Sequence, residues 1–551
     1  MALKKQVKII EKMINIVIIF LLGVAILNIF FFKDNLMKSY NYKFIIVFSI
    51  IYGGIFLATM YFFKRNNRKS ISSKSSKNSK SGIKNLIMYI FLIFIQVIYA
   101  VLIFRTIGWD VGMVYGSACD LVNGTFNSAE YFSMYGNNVL LLLFLEVLFR
   151  AVKLVGFNNY LLVSIVFNIF MIDLAIYYIY KICEKLMGKK YGILSYFISI
   201  PMLGLSPYLA VVYSDTLSYI FPIIIFYNYI SYKNEKDSKS KLKFIFYIAF
   251  FSILGYLVKP TNIIILIAIF IIELISMIEK RIFKKQSDKQ KQILLNKNKY
   301  KQYFINCLTV FLTILVVYGS FSIYKNLRLK KYIPKDLIYQ NSFPMTHFMM
   351  MGLKPEGYDG KYYGVYSEDD VNSTKSQIGK NAKKEYNIKQ IKNRLKSMGI
   401  KGYISYLYDK YTFIISDGSF FYGNEGSFYQ SEPYSNGKLA NFVQDFSYVD
   451  RKYYNKVTIN IMQSYWIIVL GLILISSILS LIYDEDRKFS ILKLSIIGII
   501  AFILLFEARS RYLMNYLPIF ILLAIYSINT FEKIYEIKYS KKTVELLEGK
   551  K

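Results

Sequence analysis

Long apolar windows recur along this chain, many of roughly 18 to 20 residues, enough to cross ~30 Å of hydrocarbon as a helix. Lipid offers no hydrogen-bond partner, so segments of this kind must be helices that satisfy their own backbone. Composition agrees: 55% of the 551 residues are hydrophobic and 18% aromatic. The expected fold class is therefore an all-α polytopic membrane protein with about 12 transmembrane helices. A net charge of +34 suggests nucleic acid at first sight, but its placement argues against that partner. Much of it lies in short connections at 64–84, 233–243 and 280–301, where Lys and Arg mark the cytoplasmic side and favour anionic headgroups. Lys also outnumbers Arg, whose planar fork reads bases.

Twelve spans fit these charges: 13–32, 44–63, 86–106, 160–180, 191–209, 216–232, 244–258, 262–279, 303–323, 461–482, 489–506 and 512–531. Both ends are then cytoplasmic. The first stretch lacks a small-residue cleavage site, so it is read as an uncleaved helix. One inner connection, Asp484-Glu485-Asp486-Arg487-Lys488, is acidic and is the weakest point of the map. Val139–Leu154 is too short and too charged for a span. It is expected as an interfacial helix.

The division follows. Residues 1–84 hold two transmembrane helices and a basic cytoplasmic linker, and 85–323 form a transmembrane core with a first outer loop at 107–159. Residues 324–460 form a mainly α extracytoplasmic insertion domain. Residues 461–551 carry the last spans and a cytoplasmic tail. In the insertion, Asn387 is expected to cap a helix ending at Gly399, with a second helix over 401–415. Three cysteines give no disulfide framework, and one histidine excludes a multi-His metal site.

Four charged features fall at one membrane boundary: Asp110 after a span, Asp215 in Tyr213-Ser214-Asp215-Thr216, Lys259 before Pro260, and Glu507-Ala508-Arg509-Ser510-Arg511-Tyr512. A carboxylate can take a proton from an acceptor hydroxyl, and cations can hold a leaving phosphate. Asp110 and Asp215 are the candidate catalytic carboxylates, able to act as base. Lys259, Arg509 and Arg511 are the candidate phosphate ligands, since Arg forks match phosphate oxygens. The plainer alternatives are a solvated Asp110, a helix-capping Asp215, a snorkelling Lys259 and arginines paired with Glu507 or lipid headgroups. Arg105, Tyr135, Asn137, Asn138, His347 and Glu507 complete the candidate substrate-binding set, His347 with a surface position as its alternative.

The order of these features resembles the C-type membrane glycosyltransferases (the GT-C fold), over about 85–535. Tyr131-Phe132-Ser133-Met134-Tyr135-Gly136-Asn137-Asn138, Phe343-Pro344-Met345-Thr346-His347-Phe348 and Glu507 to Tyr512 resemble segments of Gram-positive cell-envelope members. Protein O-mannosyltransferases and the aminoarabinose transferase of lipid A belong to the same group. The resemblance implies an undecaprenyl-phosphate-linked sugar donor and a cell-envelope glycan, lipid or protein acceptor. It also implies inversion, a site on the extracytoplasmic face of the cell membrane, and Asp110 as base. It makes Asp215 a second acidic site, with Asp110 and Asp215 as ligands of a divalent ion such as Mg or Mn in some relatives. Two departures stand out: Val111 follows Asp110 where mannosyltransferases have Asp-Glu, and two helices precede the fold. The alternatives in other classes are a transporter or flippase of lipid-linked glycans, and a polysaccharide polymerase or ligase.

Overall fold

The structure is a computed structural model that describes residues 2–31, 40–54, 58, 78–283, 292–355, 363–423 and 428–548. Most of the basic run at 64–84, part of the expected span 44–63 and part of 280–301 lie outside the described residues. Among those described there is no strand, only one isolated β-bridge between Ile107 and Tyr429.

The chain opens with α1 (Ala2–Phe31), α2 (Tyr42–Gly54) and α3 (Asn78–Leu102). The first long connection holds α4 (Trp109–Asn123), α5 (Ala129–Met134) and α6 (Val139–Leu154). Next come α7 (Tyr160–Met187), α8 (Lys189–Ser199), α9 (Ser214–Leu217), α10 (Ile220–Asn234), α11 (Ser238–Val258), α12 (Ile264–Phe283) and α13 (Gln292–Leu329). The second long connection carries α14 (Lys335–Asn341), α15 (Met345–Met351), α16 (Glu368–Lys375), α17 (Lys380–Ile415) and α18 (Lys438–Ser447). The chain closes with α19 (Ile459–Leu479), α20 (Arg487–Leu505) and α21 (Leu517–Glu548).

Eight helices among the described residues are long and apolar enough to cross a membrane, and each matches one of the twelve expected spans. Tyr42–Gly54 and Ile90–Leu102 are shorter apolar helices. The remaining two expected spans are broken. α8 stops at Ser199, and a π turn at Ile200–Gly204 around Pro201 follows, then a 3-10 turn at Pro207–Ala210. Proline removes a backbone donor and clashes with the preceding turn. The second, at 216–232, is split into α9 and α10. Nearly every residue from Ser206 to Ser231 is buried, and irregular backbone at membrane depth is tolerated where protein covers it.

The last span is the centre of the bundle, with 94% of its apolar window buried; the corresponding figure for α13 is 6%. A helix apolar all round belongs inside. Phe311, Leu315 and Val316 of α13 are exposed apolar side chains suited to lipid.

The acidic connection at 484–488 is explained by packing. Lys493 Nζ bonds Glu485 Oε1 and Asn15 Oδ1, each at 2.6 Å, with both charges buried. Arg487 bonds Glu11 of α1 and Glu279 of α12. Glu485, Glu11 and Glu279 thus tie α1, α12 and α20 together.

In the second long connection, Gly399 has φ 59 and splits α17 into two helices. The break falls where expected. The start does not: the helix begins at Lys380 after Gly379, and Asn387 is buried inside it. Asn387 bonds Thr374 and Thr346 instead of capping.

Candidate functional site

Asp110 lies in the first turn of α4, where the helix dipole favours a negative charge. It is not a freely solvated loop acid. Tyr131 donates to Asp110 Oδ1 at 2.5 Å, and the Tyr213 hydroxyl lies 3.0 Å from Oδ2. Asn138 closes the ring: its Nδ2 donates to the Tyr131 oxygen at 2.6 Å, and its Oδ1 is 3.1 Å from the Tyr213 hydroxyl. Burial, then the Asp110 charge, push the Tyr131 and Tyr213 phenols well above their ordinary range. Both therefore stay protonated and act as donors. A carboxylate offers about four lone-pair sites, so two phenols leave room for a further proton donor.

Asp215 is 3% exposed and its two oxygens face two cations. Lys259 donates to Oδ1, and Arg511 Nη1 to Oδ2 at 2.7 Å. Burial pushes the Asp215 carboxyl up; Lys259 and Arg511 more than reverse this and hold it below the ordinary range. The residue is thus an ionised anchor that draws cations from two hairpins. Tyr213 occupies the N-cap position of α9, and Asp215 does not cap it. Lys259 turns inward to Asp215 and does not snorkel.

Aromatic rings join the two acids. Arg511 lies over the Trp109 ring at 4.6 Å and the Tyr512 ring at 5.0 Å, and Trp109 meets Tyr213 edge-on at 5.8 Å. Arg509 lies over Phe421 at 5.8 Å. Glu507 accepts from the Tyr512 hydroxyl at 3.1 Å. Trp109, Phe420 and Phe421 have φ of 41, 51 and 64, and are the only non-glycine residues with positive φ among those described. Each such residue costs on the order of 1–2 kcal/mol. Asp417 holds the Phe420–Phe421 turn, accepting from Ser419 N (2.8 Å), Ser419 Oγ (2.6 Å), Tyr40 (2.9 Å) and Phe421 N (2.6 Å).

The second long connection closes over this end of the bundle. Tyr366 is raised by burial, then by Glu368, Glu507 and Asp110, which sets its phenol in the field of the site acids. Asn341 bonds Ser133 at 2.9 Å, and Lys375 pairs with Glu130. Lys410 of α17 is buried and donates to Gly352 O (2.7 Å), Leu504 O (2.9 Å) and Phe506 O (2.6 Å). Burial pushes this amine down to about 7, and it is set as a hydrogen-bond donor at the C-terminal carbonyls of α20, just before Glu507.

The structure gathers Asp110, Asn138, Asp215, Lys259 and Arg511 into one cluster, with Arg509, Glu507 and Tyr135 at its edge. Tyr135 feels Tyr366, Asp110 and Glu507. Asn137 is exposed beside it. Two candidates lie elsewhere. Arg105 is committed to Ser431 O, Asp450 and the Tyr429 and Tyr448 rings. His347 is fully buried, its Nδ1 2.9 Å from Thr374 Oγ1 and its ring stacked on Phe343 at 4.2 Å. It reaches the site only through Phe343, whose ring meets Tyr135 at 5.7 Å. Burial pushes its imidazole down to about 4.

Asp110 and Asp215 do not fit the expected divalent ion. Each Asp215 oxygen faces a cation, each Asp110 oxygen a phenol, and no group of three or more His, Cys, Asp or Glu among the described residues is placed to hold a metal. Sequence reasoning assigned no role to Trp109, Tyr131, Tyr213, Tyr366 or Phe421. With 18% of the chain aromatic, an aromatic residue within two positions of an acid or arginine does not single these side chains out.

Curated proteins and solved structures gave no match to this chain. A family model described as "conserved hypothetical integral membrane protein" matches residues 3–531, and the chain belongs to that family of integral membrane proteins.

Proposed function

We propose that this protein is a membrane glycosyltransferase of about twelve spans and GT-C-like architecture. It transfers a sugar from an undecaprenyl-phosphate-linked donor to a glycan, lipid or protein acceptor of the cell envelope, on the extracytoplasmic face. The observation that carries the reading is the Asp215 clamp: one buried carboxylate holds Lys259 and Arg511 together beside the Trp109–Asp110 turn. Such an array offers preorganised positive charge to a departing phosphate next to a carboxylate able to receive a proton.

In this reading the acceptor oxygen attacks the anomeric carbon from the face opposite the phosphate. The bond between that carbon and the phosphate oxygen breaks, and its electron pair leaves with the polyprenyl phosphate. The hydroxyl proton passes to Asp110, then to water. Tyr131 and Tyr213 hold the carboxylate in place, and Lys259, Arg509 and Arg511 receive the phosphate. Asp215 serves as the positioning residue for two of those cations rather than as a second base.

The test is incubation of the purified protein with defined undecaprenyl-phosphate sugars and envelope acceptors, with products read by mass spectrometry. Release of undecaprenyl phosphate together with a glycosylated acceptor is expected. A donor that stays intact across the whole panel contradicts the reading.

A further inference from the structure

Three aromatic residues with positive φ sit in two separate segments, the start of α4 and the turn after α17, and rings from both segments meet the same hairpin. Trp109 (φ 41) begins α4, and its ring lies under the Arg511 guanidinium. Phe421 (φ 64), next to Phe420 (φ 51), puts its ring under Arg509. Left-handed backbone at bulky residues persists only where the surroundings over-determine it, and such outliers cluster at functional sites. Here Asp417 holds the second turn through four donors, and Tyr208 bonds Phe420 O at 2.8 Å.

We propose that Trp109 and Phe421 are positioning residues that fix Arg511 and Arg509 as a phosphate-binding pair by presenting a ring face to each guanidinium. This rests on the glycosyltransferase reading. The attraction of a cation to a ring face keeps each arginine aimed without consuming its N–H donors. Arg511 accordingly still donates to Asp215 while it lies over the Trp109 ring. An alkyl side chain fills the same space without aiming the charge. Glycine relieves the backbone and removes the ring.

The experiment titrates undecaprenyl phosphate into the full-length protein and its Phe421→Gly, Phe421→Tyr, Trp109→Gly and Trp109→Phe variants in detergent, with the melting temperature of each. Wild type is expected to bind. Both glycine variants should bind about 2- to 30-fold more weakly, the range of one cation–π contact, measured in the folded fraction, because loss of a packed ring lowers the melting temperature whatever its role. Phe421→Tyr and Trp109→Phe, which keep a ring face, should bind within about twofold of wild type. A merely structural role predicts the same lowered melting temperature but unchanged affinity in the folded fraction. Unchanged affinity in the glycine variants overturns the inference, as does equal loss in the ring-keeping variants; either leaves the enzymatic reading standing. If wild type itself does not bind undecaprenyl phosphate, the enzymatic reading falls and takes this inference with it.

Discussion

Asp110 and Asp215 are both aspartates at one end of the bundle, yet their neighbours give them different work. Phenols face Asp110, and neither carries a charge that would neutralise it. Asp215 is buried between two cations. Removing a base typically costs roughly 10²–10⁴-fold in rate, so Asp110→Asn should lose turnover on that order and keep donor affinity. Asp215→Asn keeps the shape but leaves Lys259 and Arg511 without their counter-charge. Breaking a buried pair on one side costs about 3–5 kcal/mol. Asp215→Asn should therefore lower the melting temperature as well as donor affinity, whereas Asp110→Asn, which loses one phenol's acceptor, should lower the melting temperature less and keep donor affinity. Melting curves and undecaprenyl-phosphate titrations of the two variants check this. Equal effects from the two would contradict the division of roles.

Eight of the expected spans and the charged hairpins between helices were legible because apolar length and charge are local properties. The partners were not. Nothing in the spacing from Asp215 to Lys259 and Arg511 says that both cations turn inward to one carboxylate. Burial decides that, and burial is a property of the folded bundle. Pro201 and Pro207 were visible in the expected span 191–209, but hydropathy averages over them, so a broken helix read as a continuous one. Asn387 looked like a cap because local propensity favours it; its bonds to Thr374 and Thr346 are tertiary. At the other end of the bundle, Lys493, Glu485 and Asn15 lock α1 to α20. Lys493→Met should destabilise the protein by about 3–5 kcal/mol, and adding Glu485→Leu should recover much of it, as read by denaturation of the two variants.

His347 gives the second long connection a pH signature. Thr374 donates to Asn387, so its oxygen accepts from the protonated His347 Nδ1, while Nε2 is buried with no partner. The folded imidazole is at about 4 against an ordinary 6.5. Because the folded value is the lower one, this contribution to stability is complete above about pH 6.5 and fades as pH falls toward 4, by about 3 kcal/mol in all. Thermal melting across that window should show the decline in wild type, and His347→Phe should flatten it.

The whole molecule is a helical bundle whose two long connections meet over one end, and the proposed reaction requires that end to face outward. Ile400 is 83% exposed beside the Gly399 break. In a background lacking the native cysteines, Ile400→Cys should react with a membrane-impermeant maleimide on intact cells. Labelling only after the cells are opened would invert the topology and place the site on the wrong face for the proposed acceptors.

The central claim is that Asp110 takes the proton while a separate cation cluster holds the phosphate. Single-turnover transfer from a defined undecaprenyl-phosphate sugar, measured side by side for wild type and Asp110→Asn at saturating donor, tests it most directly. The predicted result is donor binding equal to wild type with transfer slowed by roughly 10²–10⁴-fold. Transfer by Asp110→Asn at a rate near that of wild type would contradict it.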